Sequence, residues 1–305
     1  MRNYLQICRE LFILSRPEWG FIFAGVAYML SLFYLLPLIP SITVGWVSIY
    51  AFACGHFSLN AVFDKDSDVD NPRSFSLRNP FVTSDLLTKR IIYLWVGLIW
   101  FLPIPINILF VPNALTIPKL PLAFFSYFLA IAGSMAYSVP PLRLKARPFV
   151  DLIVTVLIIG VFIPFYIGLL GSEILIDLRL LGYGITLCVL LVAGIHLPTI
   201  LTDLETDLIH GERTTAVFLG WNKTSLLTSI AIIVRVAGFA TINLILMMEG
   251  TLIPSILPFL LGIIEFVLAI NLVWHRNRDA ALLLWKTVIL TSIIGGFLFG
   301  FLYIP

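Results

Sequence analysis

Apolar runs of about twenty residues, each closed by a short polar break, recur along the whole chain. Coiled into a helix, a run of that length crosses about 30 Å of hydrocarbon. The pattern predicts helices at 17–38, 42–63, 88–110, 119–138, 149–172, 179–202, 224–248, 253–275 and 283–304. The expected fold is therefore all-α: a polytopic membrane protein with nine transmembrane helices around a central cavity, forming one bundle domain over 1–305. Ahead of Arg16, the residues Leu5, Cys8, Leu11 and Phe12 fall at helical spacing, which predicts an interfacial amphipathic helix over 1–15. A frayed tail is the alternative for this segment. Pro103, Pro105, Pro164 and Pro198 lie inside predicted spans. Each removes a helical hydrogen bond, which is tolerated where a neighbour or a cavity satisfies the freed carbonyl.

Composition agrees with the pattern. Hydrophobic residues make up 60% and charged residues 12% of the chain, and its mean hydropathy is +1.03. A soluble domain carries about 25% charged residues. The polar start leads into a full-length span without a small-residue cleavage site, so the N-terminus is expected to stay. Cys8, Cys54 and Cys188 share no motif spacing and point to neither disulfide nor metal. Nucleic-acid binding has no support in the sequence.

Distribution of charge says more than its sum. With a cytoplasmic N-terminus, the inside positions are Arg2, Arg9, Arg16, Lys65, Arg73, Arg78, Lys89, Arg90, Arg143, Lys145, Arg147, Arg213, Lys223, Arg276, Arg278 and Lys286. These are 16 of the 19 basic residues. The positive-inside rule thus predicts a cytoplasmic N-terminus and a C-terminus on the opposite side.

Two acidic clusters stand out. The second span runs into Asn60-Ala61-Val62-Phe63-Asp64-Lys65-Asp66-Ser67-Asp68-Val69-Asp70, with four aspartates in seven positions. On a continuing helix Asn60, Asp64 and Asp68 share one face, while Asp66 and Asp70 point elsewhere. The sixth span ends in Asp203-Leu204-Glu205-Thr206-Asp207 and turns through His210-Gly211-Glu212-Arg213-Thr214. Loops at 60–87 and 203–223 are expected to carry these motifs on the cytoplasmic side, facing each other across the cavity. The recurrence suggests a loose internal duplication.

Crowded carboxylates are costly at low dielectric unless a cation neutralises them. Magnesium suits an all-oxygen donor set and completes its shell with substrate phosphate oxygens. Asn60, Asp64, Asp68, Asp203 and Asp207 are the candidate ligands, and the four aspartates are also the candidate catalytic residues. A solvated acidic loop is the bland reading of either run alone.

A basic segment, Tyr137-Ser138-Val139-Pro140-Pro141-Leu142-Arg143-Leu144-Lys145-Ala146-Arg147-Pro148, falls on the same side. Arg143, Lys145 and Arg147, with Arg73 and Arg78, are candidate contacts for diphosphate oxygens. Taken singly, each is equally a positive-inside anchor. His196 lies two turns before Asp203 and is expected to line the cavity, as a proton acceptor, as a contact for the acceptor, or as a histidine bonded between helices. Arg235 and Glu265 fall at similar depth in the seventh and eighth spans and are expected to pair.

At these residues the chain resembles the UbiA superfamily of intramembrane prenyltransferases. Asn60, Asp64 and Asp68 match its NDxxDxxxD motif, with Ala61 where the family has aspartate. Asp203, Glu205, Asp207, Gly211 and Thr214 match DxExDxxxGxxT, and the stretch from Tyr137 matches YSxPPLRLK. Asn71-Pro72-Arg73, the run from Lys145 to Asp151, and His196 look most like the lycopene elongase branch. The resemblance implies a nine-helix bundle open laterally to membrane lipid, with Mg2+ as cofactor. A prenyl diphosphate would ionise there and transfer its prenyl group to a lipophilic acceptor. Phe57, Phe63, Tyr137 and Tyr166 are candidate carbocation stabilisers, against the alternative that they are packing.

Two rival readings remain open. A terpene cyclase on the same scaffold would use the same metals, with the substrate's own double bond as nucleophile. A cation transporter fits less well, because its carboxylates belong near the bilayer midplane rather than at helix ends.

Overall fold

The computed structural model describes residues 2–33, 38–70, 79–111, 119–171, 178–250 and 257–302. Among them the regular structure is helical. The principal helices are α1 (Arg2–Leu14), α2 (Pro17–Phe33), α3 (Ser41–Phe63), the short α4 (Lys65–Asp70), α5 (Lys89–Phe110), α6 (Leu120–Ser138), α7 (Val150–Leu170), α8 (Leu178–Ile209), α9 (Thr215–Met248), α10 (Leu257–His275) and α11 (Arg278–Leu302). Six of these, namely α3 and α5 to α9, are long and apolar enough to cross a membrane among the described residues. The other three predicted crossings fall on α2, α10 and α11.

Helices α2, α3, α6, α7, α8 and α11 pack in sequence into a ring that closes where α11 meets α2. Helix α5 leans on the outside of α3, and α9 and α10 lean on α8 and α11. Inside this arrangement the chain satisfies its polar groups across helices, as a membrane interior demands. Trp100 Nε1 donates to the Phe52 carbonyl at 3.0 Å. Asn107 donates to Ser48 at 2.8 Å and to the Tyr166 hydroxyl at 2.7 Å. Outward positions such as Leu94, Leu98, Leu109, Ile263 and Trp274 are exposed and apolar, the inverse of a soluble surface.

Prolines shape the spans as anticipated in part. Helix α5 is broken after Phe101, where Pro103 opens a second segment. Helix α7 contains a π-helical stretch, Val156–Phe162, just ahead of Pro164, and Ser126 Oγ donates to the Phe162 carbonyl at 2.8 Å. Pro198 sits inside a continuous α8.

Of the boundaries that differ from the sequence reading, two matter most for the site. Helix α8 runs on to Ile209, so Asp203, Glu205 and Asp207 lie on helix and not in a loop. Helix α9 begins at Thr215, nine residues earlier than expected, with Thr214 as N-cap and a non-helical residue, Gly220, within it. Backbone hydrogen bonding continues through polar residues where hydropathy falls away, and hydropathy was the signal used to place the ends.

Candidate active site

A cavity of about 280 Å³ opens at the end of the ring where α3 and α8 terminate. Asn60 occupies the last turn of α3, Asp64 stands at its C-terminal break, and Asp68 lies in α4. All three line the cavity together with Asp203 and Asp207 from α8. The two acidic motifs, about 140 residues apart in the chain, therefore face one space. Helix α4 packs directly on α8. Asp66 is exposed and absent from the lining, as its helical phase predicted, and so is Glu205. Glu205 instead lies 3.8 Å from Arg278.

The carboxylates are already in contact with cations. Lys145 Nζ reaches Asp64 Oδ1, and the Arg143 guanidinium reaches Glu212 while standing 3.8 Å from Asp64. Asp68 Oδ2 accepts from Asn79 Nδ2 at 2.8 Å and lies 3.4 Å from Arg16. Burial pushes the Lys145 amine down to about 8, with Glu212 and Asp207 acting the other way. Both arginines take left-handed backbone conformations, Arg16 at φ 46 and Arg143 at φ 34. Such conformations cost about 1–3 kcal/mol, and here they carry guanidinium groups onto the acidic cluster.

Other contacts tie the three motifs together. Ser138 Oγ donates to Asn60 Oδ1 at 3.1 Å, joining the basic segment to the first acidic motif. Thr214 donates to Asp207 Oδ2 at 3.0 Å. Helix α8 ends at Ile209, and the left-handed turn that follows falls on Gly211 at φ 69, a conformation that glycine adopts without a Cβ clash.

Not every predicted residue reaches the cavity. Tyr137, Lys145 and His196 line it, and His196 Nε2 is buried with no hydrogen-bond partner among the described residues. Arg147 is exposed and outside the lining. Arg73 and Arg78 lie outside the described residues. Phe57 faces the cavity with Trp19 and Phe23, their ring centroids 6.2–6.3 Å apart. Tyr166 is fully buried in the Asn107 and Ser48 network and Phe63 packs against the core, so neither lines the cavity.

Three charged lining residues are not among the candidates the sequence offers for the site. Arg16 and Glu212 read in the sequence only as flanking charges. Asp151, 1% exposed at the start of α7, accepts from the Thr215 amide at 3.1 Å, the Leu152 amide at 2.8 Å and the Thr215 hydroxyl. A lone aspartate opening a predicted span was the available signal.

Away from the charged mouth the lining is apolar, including Val26, Leu30, Ile163, Ile167, Leu191 and Val192. An all-oxygen set of carboxylates and one amide suits magnesium. Among the described residues no three His, Cys, Asp or Glu side chains gather tightly enough to hold a metal by themselves. Magnesium does not demand that, since it is held by one or two carboxylates with water and phosphate oxygens completing the shell.

Compared with solved structures, the chain superimposes on a UbiA homologue from Archaeoglobus fulgidus bound to GPP and Mg2+. The TM-score is 0.62 at 18% identity, covering 95% of this chain and 99% of that one. A UbiA homologue from Aeropyrum pernix K1, in apo form, matches with a TM-score of 0.63 at 18% identity over 92% and 97% of the two chains. The chain has the UbiA fold. A lycopene elongase/hydratase of Haloarcula japonica is 29% identical over 205 residues, 67% of this chain and 58% of that protein. No family model matches the chain. Within the UbiA fold, the charged mouth and the apolar interior described above belong to one cavity ringed by six helices.

Proposed function

We propose that the chain is a UbiA-type prenyltransferase that ionises a prenyl diphosphate in a Mg2+-dependent manner and transfers the prenyl group to a lipophilic acceptor. The observation that carries this reading is the convergence of Asp64, Asp68, Asp203 and Asp207, from two distant helix ends, on a single cavity that joins a charged mouth to largely apolar walls. Solved homologues of this fold bound to GPP, to DMAPP and to Mg2+ support it, as does the lycopene elongase/hydratase relative.

Asn60, Asp64, Asp68, Asp203 and Asp207 would hold Mg2+ through oxygen atoms. When bound there, the metal neutralises negative charge on the departing diphosphate. Lys145 and Arg143, paired with Asp64 and Glu212 in the free site, would turn from these carboxylates to phosphate oxygens as Mg2+ takes their place. Arg147, exposed outside the lining, adds cationic charge to the same basic segment, and Arg73 and Arg78 are further candidates from the sequence alone. The allylic carbon–oxygen bond breaks with its electron pair leaving on the diphosphate. The apolar walls hold the isoprenoid and exclude water from the carbocation. Tyr137 and Phe57, both in the lining, would stabilise that cation through their rings. Electrons from the acceptor form the new bond to the prenyl carbon, and His196, in the lining with an unpartnered Nε2, would take the proton released.

Membranes carrying the full chain, incubated with geranyl diphosphate, Mg2+ and a lipid extract, are expected to release diphosphate and form a prenylated lipid. Asp64→Ala and Asp203→Ala should each lower turnover by about 10²–10³-fold, the scale for losing one preorganised electrostatic contact. A cyclic hydrocarbon released without acceptor would replace transfer by cyclisation. Ion flux without diphosphate turnover would overturn the reading.

A further inference from the structure

A second cavity, of about 420 Å³, lies between α2, α8, α9, α10 and α11, and it shares Val26, Leu30, Cys188 and Leu191 with the inner wall of the first. Its lining is apolar apart from the cluster of Arg235, Glu265, Thr291 and Ser292, and from Asn243, which donates to the Phe239 carbonyl. Arg235 is 1% exposed. One terminal nitrogen of its guanidinium donates to Glu265 Oε1 at 3.0 Å and to Ser292 Oγ at 2.9 Å. The other terminal nitrogen and Nε are buried and find no hydrogen-bond acceptor among the described residues. The position is built for the arginine: a Cβ on Gly194 would stand 2.4 Å from Arg235 Cδ and 2.8 Å from a terminal nitrogen.

A guanidinium carries five donors in a planar fork, and a buried donor left without an acceptor costs about 1–3 kcal/mol. The Glu265 carboxylate cancels the charge, so an anion entering this cavity would leave a net buried charge. A neutral oxygen would not. We propose that the second cavity binds the hydroxyl or carbonyl oxygen of a lipophilic molecule through Arg235, with its hydrocarbon body running along the shared apolar wall toward the first cavity. In assigning this molecule to the acceptor class, the inference rests on the prenyl-transfer reading; the oxygen site itself does not. The acceptor would then be recognised at an oxygen remote from the carbon that is prenylated.

The test compares equilibrium binding of radiolabelled geranylgeraniol with that of the matched hydrocarbon, in which CH3 replaces CH2OH, to the full chain in detergent. Mg2+-dependent binding of geranyl diphosphate is measured on the same samples. The alcohol is expected to bind about tenfold or more tightly than the hydrocarbon, as one charge-assisted hydrogen bond implies. The Arg235→Met/Glu265→Met double variant, which removes both charges at similar volume, should bind the two equally while keeping geranyl diphosphate. Equal binding by the unaltered protein, as when water alone satisfies the donors, overturns the proposal, and so does a preference that survives in the double variant. Should that variant lose geranyl diphosphate as well, Ala240→Phe decides, since it fills the cavity from α9 without touching the ion pair. Weakened alcohol binding then supports the site, and unchanged binding overturns it. An alcohol preference in a protein that binds no geranyl diphosphate would sink the prenyltransferase reading and leave the oxygen site standing.

Discussion

Asp151 shows how one side chain governs another at the mouth of the cavity. Its two carboxylate oxygens accept from the Thr215 amide and hydroxyl and from the Leu152 amide, fixing the first turn of α9 against the first turn of α7. The preceding residue, Thr214, donates to Asp207. In Asp151→Asn an amide NH2 replaces one acceptor and confronts an N–H group. A buried unsatisfied donor costs about 1–3 kcal/mol, so thermal unfolding in detergent should register that loss. Because Thr215 loses its anchor and carries its neighbour Thr214 away from Asp207, the Mg2+ concentration for half-maximal activity should also rise; an unchanged metal requirement would confine Asp151 to stability. At this scale the sequence was informative where residues repeat and poor where they stand alone. Asp64, Asp68, Asp203 and Asp207 declared themselves by spacing, whereas Asp151, Arg16 and Glu212 reach the cavity through backbone turns that no periodicity encodes. Arg147 illustrates the reverse: two residues beyond Lys145 in the same basic run, it points away.

Among the helices, close approach depends on a few positions without side chains. A Cβ on Gly55 of α3 would stand 2.3 Å from Trp100 Nε1 on α5, and that same indole donates to the Phe52 carbonyl. Gly55→Leu must therefore push α5 outward or break the indole bond, at a cost of about 1–3 kcal/mol for overpacking. Gly97, on the same helix as Trp100, has nothing within 4 Å of its Cβ position. Gly97→Leu should stay within about 0.5 kcal/mol of the unaltered protein, and similar unfolding midpoints for the two variants would refute the packing argument. Hydropathy located these helices because burial in lipid selects apolar residues along their whole length. It misplaced the start of α9 and the end of α8 because backbone hydrogen bonding, capped by Thr214, continues into water. The π-helical stretches Ser41–Val47 and Val156–Phe162 were invisible for a related reason: they change hydrogen-bond register without changing composition.

For the whole molecule, the ring closes only because α2 and α11, from opposite ends of the sequence, pack together. Nothing in local hydropathy specifies that contact. The helical class and the sharing of one cavity by both acidic motifs were nonetheless legible, since an even number of steps between α3 and α8 returns the chain to the same side. The same parity argument predicts the orientation. Lys223 and Glu249 stand exposed near the two ends of α9, about 39 Å apart at 1.5 Å per residue, more than the roughly 30 Å hydrocarbon core. The positive-inside rule places Lys223 in the cytoplasm with the site and Glu249 outside. Cys54 and Cys188 are buried, so in a Cys8→Ser background a membrane-impermeant maleimide should read a single introduced thiol. On intact cells Glu249→Cys should be labelled and Lys223→Cys protected, with the order reversed in inverted vesicles. The opposite pattern would place the diphosphate site on the outer face. The charge distribution would then be neutralising acidic ligands and lipid rather than setting topology.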